Sequence, residues 1–366
     1  MPQTDLKSLN RTELKSFFNE LGYQKFRADQ VFQWMYQKNV ASVDEMTNLS
    51  KQQREELKEK AQIYTIRPVQ QQLSKDGTTK FLFELDDSKR IESVLIPEFF
   101  DDGVADRLTV CVSSQVGCVF GCAFCATGKM GLFRNLKVGE IVDQLAYINL
   151  HTLEKYGKRI TNIVYMGMGE PFHNYENVVE SAHIVCDPKI IGLSPKRITI
   201  SSVGLTKMIK RFGEEEQPFN LAISLHAPND TKRDKIMPIN ESMDLDSLKD
   251  ALQFYFKKSE NPLTYEYLLF DQFNDSKEDA LELAEISKWV PCKINIIMYN
   301  KVVDVELNRA SEERLDSFLR VLSKNKVRAT VRRSRGDDID AGCGQLAIRE
   351  GQPKGKTIAK QAYTAK

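Results

Sequence analysis

Along the first seventy residues, apolar positions recur at helical spacing: Leu14, Phe17, Phe18 and Leu21, then Val31, Trp34 and Met35, later Leu49 and Leu57. Gly22 is placed to end the first helix, and Phe26-Arg27-Ala28-Asp29 to open the second. The rest of the segment is polar, so it reads as a compact helical module. From about residue 80 the period changes to that of strands. Short β-branched or aromatic runs fall at 80–85, 90–97, 108–114, 162–168, 197–203, 219–226, 265–270, 293–300 and 327–333. Between the later runs, amphipathic helices are predicted over 138–157, 174–187, 245–258, 276–290 and 311–325. Such alternation implies a parallel sheet with right-handed crossovers. The first runs, separated by Asp76-Gly77 and Asp86-Asp87-Ser88, predict hairpins instead. About six strand–helix units are too few for an eight-unit barrel. The fold expected is therefore α/β: a partial (β/α)6 barrel, open at one side, with a helical N-terminal module and an extra hairpin region. The boundaries expected are 1–75 for the module, 76–345 for the barrel and 346–366 for a loose basic tail carrying Gly351, Pro353 and Gly355.

Composition narrows the class of protein. The chain has 366 residues, 41% apolar and 28% charged, enough for a substantial core. It has no apolar run near the roughly 20 residues that span a bilayer, and its polar N-terminus lacks the build of a secretory signal. A cytoplasmic protein without a membrane partner is expected. In a reducing compartment the seven cysteines are then read as metal, redox or packing residues rather than a disulfide framework. A formal net charge of +1 shows no global preference for nucleic acid, so RNA binding would rest on local patches. Lys25, Arg27 and Lys38 in the N-terminal module are either such a patch or the solvated face of a packing appendage.

The most specific chemical signal is Cys118-Val-Phe-Gly-Cys122-Ala-Phe-Cys125, a C-x3-C-x2-C triplet after the strand at 108–114. It falls in a long loop at the C-terminal edge of a parallel sheet, where such folds place their sites. A structural zinc site wants four ligands, and no second C-x2-C or His pair follows at finger spacing. An iron–sulfur cubane held by three cysteines leaves one iron open for chemistry, so a cluster outweighs zinc. Phe124 would shield such a cluster from water.

The other strand ends carry polar groups too. The strand at 162–168 runs into Met166-Gly167-Met168-Gly169-Glu170-Pro171, where glycines permit close approach of a ligand and Glu170 could accept from an ammonium group. Ser201 and Ser202, Ser224-Leu225-His226 and Asn300 arrive near the ends of three further strands. Each alone is more often a satisfied sheet-end group; four in a row at one edge point to a common pocket. Near the C-terminus, glycines flank Cys343 in Ala341-Gly342-Cys343-Gly344, which suggests a mobile, sharply bent loop and argues against a core thiol. With Cys111, on the strand before the triplet, it suggests a transient redox pair. Cys186 and Cys292 read as inert buried thiols.

The triplet matches the spacing of the radical S-adenosylmethionine (SAM) superfamily. The longer motifs C-V-S-S-Q-V-G-C-x3-C-x2-C, M-G-M-G-E-P, S-L-H-A-P-N-D and R-G-D-D-I-D-A-x-C-G-Q-L resemble the RlmN/Cfr family of RNA methyltransferases over essentially the whole chain. That resemblance implies one [4Fe–4S] cluster on Cys118, Cys122 and Cys125, and SAM bound by Gly169, Glu170, Ser201, Ser224, Leu225, His226 and Asn300. Two SAM molecules would serve each turnover. It implies methylation of an adenine ring carbon in 23S ribosomal RNA at the peptidyl transferase centre. One branch acts on C2, and also on the adenosine beside the tRNA anticodon; the other acts on C8 and confers antibiotic resistance. Arg335-Gly336-Asp337-Asp338 and Glu170-Pro171 look like the C2 branch. By resemblance, Cys343 is first methylated and the adenosyl radical then activates that methyl group. The carbon adds to the ring, and Cys111 attacks the sulfur of Cys343 to free the product. An external electron donor feeds the cluster and a thiol reductant resets the Cys111–Cys343 disulfide. Glu92 matches the family's proton acceptor, although the sequence alone makes it an acid on an amphipathic strand. A monomer is expected. Met298 and Lys301 stand where the family commonly has prolines, and Gly342 where alanine is more usual. From a different class, a zinc-stabilised RNA-binding protein without catalysis is the competing reading.

Overall fold

The computed structural model describes residues 3–303 and 305–348, so most of the tail expected at 346–366 lies outside the described residues. The chain opens with β1 (Thr4–Asp5), α1 (Arg11–Glu20), α2 (Phe26–Tyr36), α3 (Lys51–Lys60) and β2 (Ala61–Gln62). Helix α1 begins on a capping box in which Asn10 and Glu13 satisfy each other's backbone N–H groups, and Ser50 with Gln53 does the same for α3. Leu14, Phe18, Val31, Met35, Leu49 and Leu57 are buried, as their spacing predicts. They build a core of their own, completed by Val138, Val142 and Ile184 from the next layer. A buried ion pair closes the joint: Lys7 Nζ lies 2.7 Å from Asp143.

Four strands follow as an antiparallel meander: β3 (Arg67–Leu73), β4 (Thr79–Glu84), β5 (Arg90–Phe99) and β6 (Ala105–Cys111). The hairpins turn at Asp76-Gly77 and Asp86-Asp87-Ser88 as expected. Strand β3 was not among the predicted runs, and it starts inside the stretch read as helical. It is an edge strand, exposed at nearly every position, so Arg-Pro-Val-Gln-Gln-Gln-Leu carries no alternation to read.

After β6 come a small ribbon, β7 (Gln115–Gly117) with β8 (Leu132–Asn135), and between them the short helix α4 (Ala126–Met130). Then strands and helices alternate: α5 (Val138–Tyr156), β9 (Asn162–Tyr165), α6 (Tyr175–Cys186), β10 (Ile198–Ser202), α7 (Thr206–Glu214) and β11 (Asn220–Ser224). The series continues through α8 (Asp230–Ile236), α9 (Leu245–Ser259), β12 (Leu263–Leu269), α10 (Lys277–Ile286), β13 (Cys292–Met298), α11 (Glu312–Lys324) and β14 (Ala329–Arg332). One ten-stranded sheet results, in the order β14-β13-β12-β11-β10-β9-β6-β5-β4-β3. Every pair from β6 to β14 is parallel. Strands β14 and β3 are its two edges, so the barrel stays open, with six strand–helix units and a last strand. The partial barrel expected from the alternation is the fold found. No helix among the described residues is long and apolar enough to cross a membrane.

Candidate active site

The cysteine triplet leaves β6 through β7 and is fixed by backbone bonds at several points. Cys118 N–H donates to Gly131 O at 3.1 Å, Ala123 N–H to Ile236 O at 2.9 Å, and Ala126 N–H to Gly344 O at 2.7 Å. Burial pushes all three thiols up, Cys118 to about 12; the charges of Cys118 and Cys125 raise Cys122 further, and that of Cys125 raises Cys118. Keeping three such thiols ionised needs a cation. The Arg233 guanidinium, buried beside Cys122, is one the chain itself supplies, and burial lowers its own value to about 10. A metal cluster would be the stronger one. Among the described residues no three His, Cys, Asp or Glu side chains, the triplet's thiols included, are grouped round a single point, and no fourth zinc ligand follows the triplet at finger spacing. A thiol-only donor set on one loop suits an iron–sulfur cluster better. Phe124 is buried, with its ring 4.8 Å from that of His226 and 5.8 Å from that of Phe270.

Each strand-end group expected to bind cofactor stands at the same C-terminal edge. Glu170 is buried, and its carboxylate accepts from Phe172 N–H at 3.1 Å and Val203 N–H at 3.0 Å. Burial still lifts it to about 7, against the pull of those bonds. Gly169 has φ +100, and a Cβ there would run into the Gln115 side chain. The glycine is thus needed by the protein's own packing, before any ligand is considered. Ser201 Oγ donates to Tyr165 O at 2.7 Å. Ser224 and Leu225 offer their carbonyls to Arg233, whose guanidinium also reaches Val203 O and Asn240 and so ties β10 to β11. His226 sits at φ +57; its Nδ1 accepts from Leu268 N–H at 3.1 Å. Burial and the nearby Arg233 lower it to about 3, so the ring is neutral and carries its proton on Nε2. Asn300 Nδ2 donates to Gln345 Oε1 at 3.3 Å, while Asn300 Oδ1 is buried without a partner. A Cβ on Gly342 would overlap that Asn300 amide, so glycine at 342 and this placement of Asn300 go together.

Cys111 and Cys343 line one cleft of about 990 Å³ inside the open barrel. Burial raises the Cys111 thiol, and the charge of Cys343 adds to the effect. Cys343 is exposed to the cleft, yet desolvation by the surrounding wall, with the charge of Glu266 after it, pushes the thiol up to about 11. Both are free thiols. The loop that carries Cys343 is anchored on both sides of it. Gly336 N–H donates to Asp76, Ser74 Oγ to Asp338, Lys80 Nζ to Asp340 O, and Thr127 Oγ1 to Leu346 O. Glu92 belongs to this clamp: its Oε1 lies 3.2 Å from Lys80 Nζ, and its Oε2 accepts from Ala347 N–H at 3.0 Å. Cys186 and Cys292 are partly buried, and burial raises both to about 11. In the N-terminal module, Arg27 donates to Gln30 and Asn48 O, and Lys38 stacks over Trp34, which engages two of the three cations singled out there.

Several residues at this edge had no role in the sequence reading. Ser113 Oγ donates to Glu92 O and accepts from Met168 N–H. Gln115 accepts from Glu170 N–H and reaches Asn135 and His173. These two join the triplet loop to the Met168–Pro171 turn. They stand within the quoted C-V-S-S-Q-V-G-C motif, and only their partners, distant in sequence, hid their purpose. Arg233 had a fainter signal: an arginine on a short helix, indistinguishable from a surface cation.

Known proteins agree with this geometry. Residues 4–63 match the Ribosomal RNA large subunit methyltransferase N-terminal domain, and residues 112–284 match the Radical SAM superfamily. A probable dual-specificity RNA methyltransferase RlmN from Salinibacter ruber is 48% identical over 94% of this chain and 94% of its own. One from Cytophaga hutchinsonii is 45% identical over 94% and 93%. The crystal structure of a radical SAM methyltransferase from Sphaerobacter thermophilus superposes with a TM-score of 0.84 at 40% identity, covering 94% of this chain and 99% of that one. Membership of that superfamily implies SAM and a [4Fe–4S] cluster. With its cysteine triplet at the barrel's C-terminal edge and relatives aligned over nearly its whole length, the chain belongs to the RlmN family of radical SAM methyltransferases.

Proposed function

We propose that the chain methylates C2 of an adenine in 23S ribosomal RNA at the peptidyl transferase centre, and of the adenosine beside the tRNA anticodon, through a methyl group carried on Cys343. The observation that carries this reading is the shared cleft: Cys111 and Cys343 line it together, while the triplet loop is bonded to the residue that follows Cys343. The names of the relatives, dual-specificity RNA methyltransferases, support the substrate class.

Cys118, Cys122 and Cys125 would hold the cluster, and Gly169, Glu170, Ser201, Ser224, Leu225, His226 and Asn300 would frame SAM. When bound, cluster and SAM supply a radical able to take hydrogen from a thioether methyl group. The chain's own part is placement. Cys343 loses its proton, takes a methyl group from a first SAM and presents that carbon to the RNA. Glu92, held at the loop by Lys80, accepts the ring proton. Cys111 then attacks the sulfur of Cys343, releases the methylated base and leaves a disulfide for an external thiol to reduce. Two SAM are used per turnover, and an external donor supplies electrons. The N-terminal module contacts RNA, and the chain works as a monomer.

Anaerobic iron–sulfide reconstitution followed by methylation of each purified RNA tests the reading. A brown, reducible protein that yields 2-methyladenosine is expected. Methyl at C8, or a colourless protein with stoichiometric zinc, would contradict it.

A further inference from the structure

Strand register brings together four polar side chains on the inner wall. Ser224 pairs with Glu266, Glu266 with Asn295, and Asn295 with Thr330, across β11, β12, β13 and β14. Partners in register face the same side of a sheet. Asn295 and Thr330 line the cleft that holds Cys111 and Cys343, so Glu266 belongs to that inner face. Its neighbours in sequence, Tyr265 and Tyr267, turn away into the core.

Within this row Glu266 is anomalous. It is 4% exposed, yet only one carboxylate oxygen is engaged: Oε1 accepts from Asn295 Nδ2 at 2.8 Å, while Oε2 is buried with no hydrogen-bond partner. Leaving a buried acceptor unmatched is costly and calls for an explanation, of which a bound ligand is one. The other carboxylates described at this site differ. Glu92 and Glu170 each have both oxygens bonded within the protein. Burial raises Glu266, while the charges of Arg332 and Lys293, both lining the cleft, and the bond from Asn295 favour its ionised form; its charge in turn raises Cys343.

We infer that Glu266 and Asn295 form a base-reading subsite, in which Glu266 Oε2 accepts a hydrogen bond from the 6-amino group of the target adenine. The inference rests on the RNA-methylating reading above and adds the residue that selects the base. Cys343 and Asn295 line the same cleft, so a base meeting the methyl carbon there lies against the wall that carries the Glu266–Asn295 pair. Adenine presents N–H donors at C6, which a carboxylate accepts. A purine with a carbonyl there, hypoxanthine or guanine, would set oxygen against an anion. The cleft, about 990 Å³, has room for a nucleotide.

The pair predicts a reversal rather than a loss. In Glu266→Gln the amide oxygen takes the place of Oε1, where Asn295 donates, and its nitrogen takes the place of Oε2. The subsite then offers a donor, which suits a carbonyl at C6 and opposes an amine. The test measures binding of two RNA stem-loops, identical except for adenosine or inosine at the target position, to the cluster-loaded protein by fluorescence anisotropy. Iron content and SAM affinity are measured alongside. The wild type should prefer adenosine by about tenfold or more, the worth of one charge-assisted hydrogen bond. E266Q should prefer inosine, with iron and SAM binding unchanged. Asn295→Leu, which releases the carboxylate from its orientation, should erase the preference without reversing it. The inference is overturned if E266Q keeps the wild-type preference, or if it weakens SAM binding and leaves RNA preference alone, since the pair would then serve the cofactor. A wild type that binds both RNAs equally overturns it while sparing the RNA reading. A wild type that binds neither overturns both.

Discussion

The joint between the N-terminal module and the barrel treats buried charge very differently from the barrel's interior. At the joint, Lys7 and Asp143 are both buried and are bonded to each other at 2.7 Å, and Asp143 accepts a further bond from Ile66 N–H. In the interior, Glu266 and Asn300 each keep a buried oxygen without a partner. Both arrangements involve desolvated polar groups, but only in the first does each carboxylate oxygen find a partner within the chain. The ion pair at the joint is matched by the fold, whereas the two oxygens in the interior lie beside the proposed binding site. Buried hydroxyls elsewhere, Tyr36 Oη near the joint among them, are unmatched too, so it is position as well as the missing partner that singles out Glu266 and Asn300.

That difference can be broken at either side. Replacing Lys7 by Ala strands Asp143 in the joint and should cost about 3–5 kcal/mol of stability, read from the denaturation midpoint of the intact protein. Cluster content at low denaturant should be unchanged, because the triplet lies on other elements. Gly342→Ala comes next. Its Cβ displaces Asn300, which should cost about 1–3 kcal/mol by overpacking and weaken SAM binding. Normal SAM affinity in that variant would remove Asn300 from the cofactor site. Glu266→Gln should go the other way and stabilise the fold by about 1 kcal/mol, since it removes a buried charge that lacks a full set of partners. A loss of stability there would mean that Glu266 serves the fold, as Lys7 does.

The last effect concerns pH and shows only on the acid side. His226 has its value lowered to about 3 by burial and Arg233. The unfolded chain takes up a proton near the ordinary histidine value, and the folded chain does not. Stability is therefore fully present above about 6.5 and is lost as pH falls toward 3. Asn at 226 keeps an acceptor for Leu268 N–H and tolerates the positive φ. His226→Asn should flatten the acid side of the stability profile across that window.

Much of this was legible in the sequence because its causes are local. The amphipathic periods marked α5, α6, α9, α10 and α11, and the run of strands from β9 to β14 announced a parallel sheet. The triplet, the Gly169-Glu170 turn and the serines at strand ends declared themselves by type and spacing. Strand β3 stayed hidden because an exposed edge needs no apolar alternation. Glu266 and Asn295 stayed hidden for another reason. A charged residue inside Leu-Thr-Tyr-Glu-Tyr-Leu-Leu gains meaning only when the register sets it beside Asn295 and leaves Oε2 unpaired. The loop around Cys343 looked mobile from its glycines, whereas its flanks are anchored from Ser74, Lys80, Glu92 and Thr127.

The central claim is that Cys343 carries the carbon and Cys111 releases it. The most direct measurement is intact-mass spectrometry of Cys111→Ala after anaerobic turnover with substrate RNA, with Cys343→Ala in parallel. The account predicts a covalent protein–RNA species that accumulates in Cys111→Ala and maps to the peptide containing Cys343, and neither adduct nor methylated RNA from Cys343→Ala. Normal turnover by either variant would contradict it.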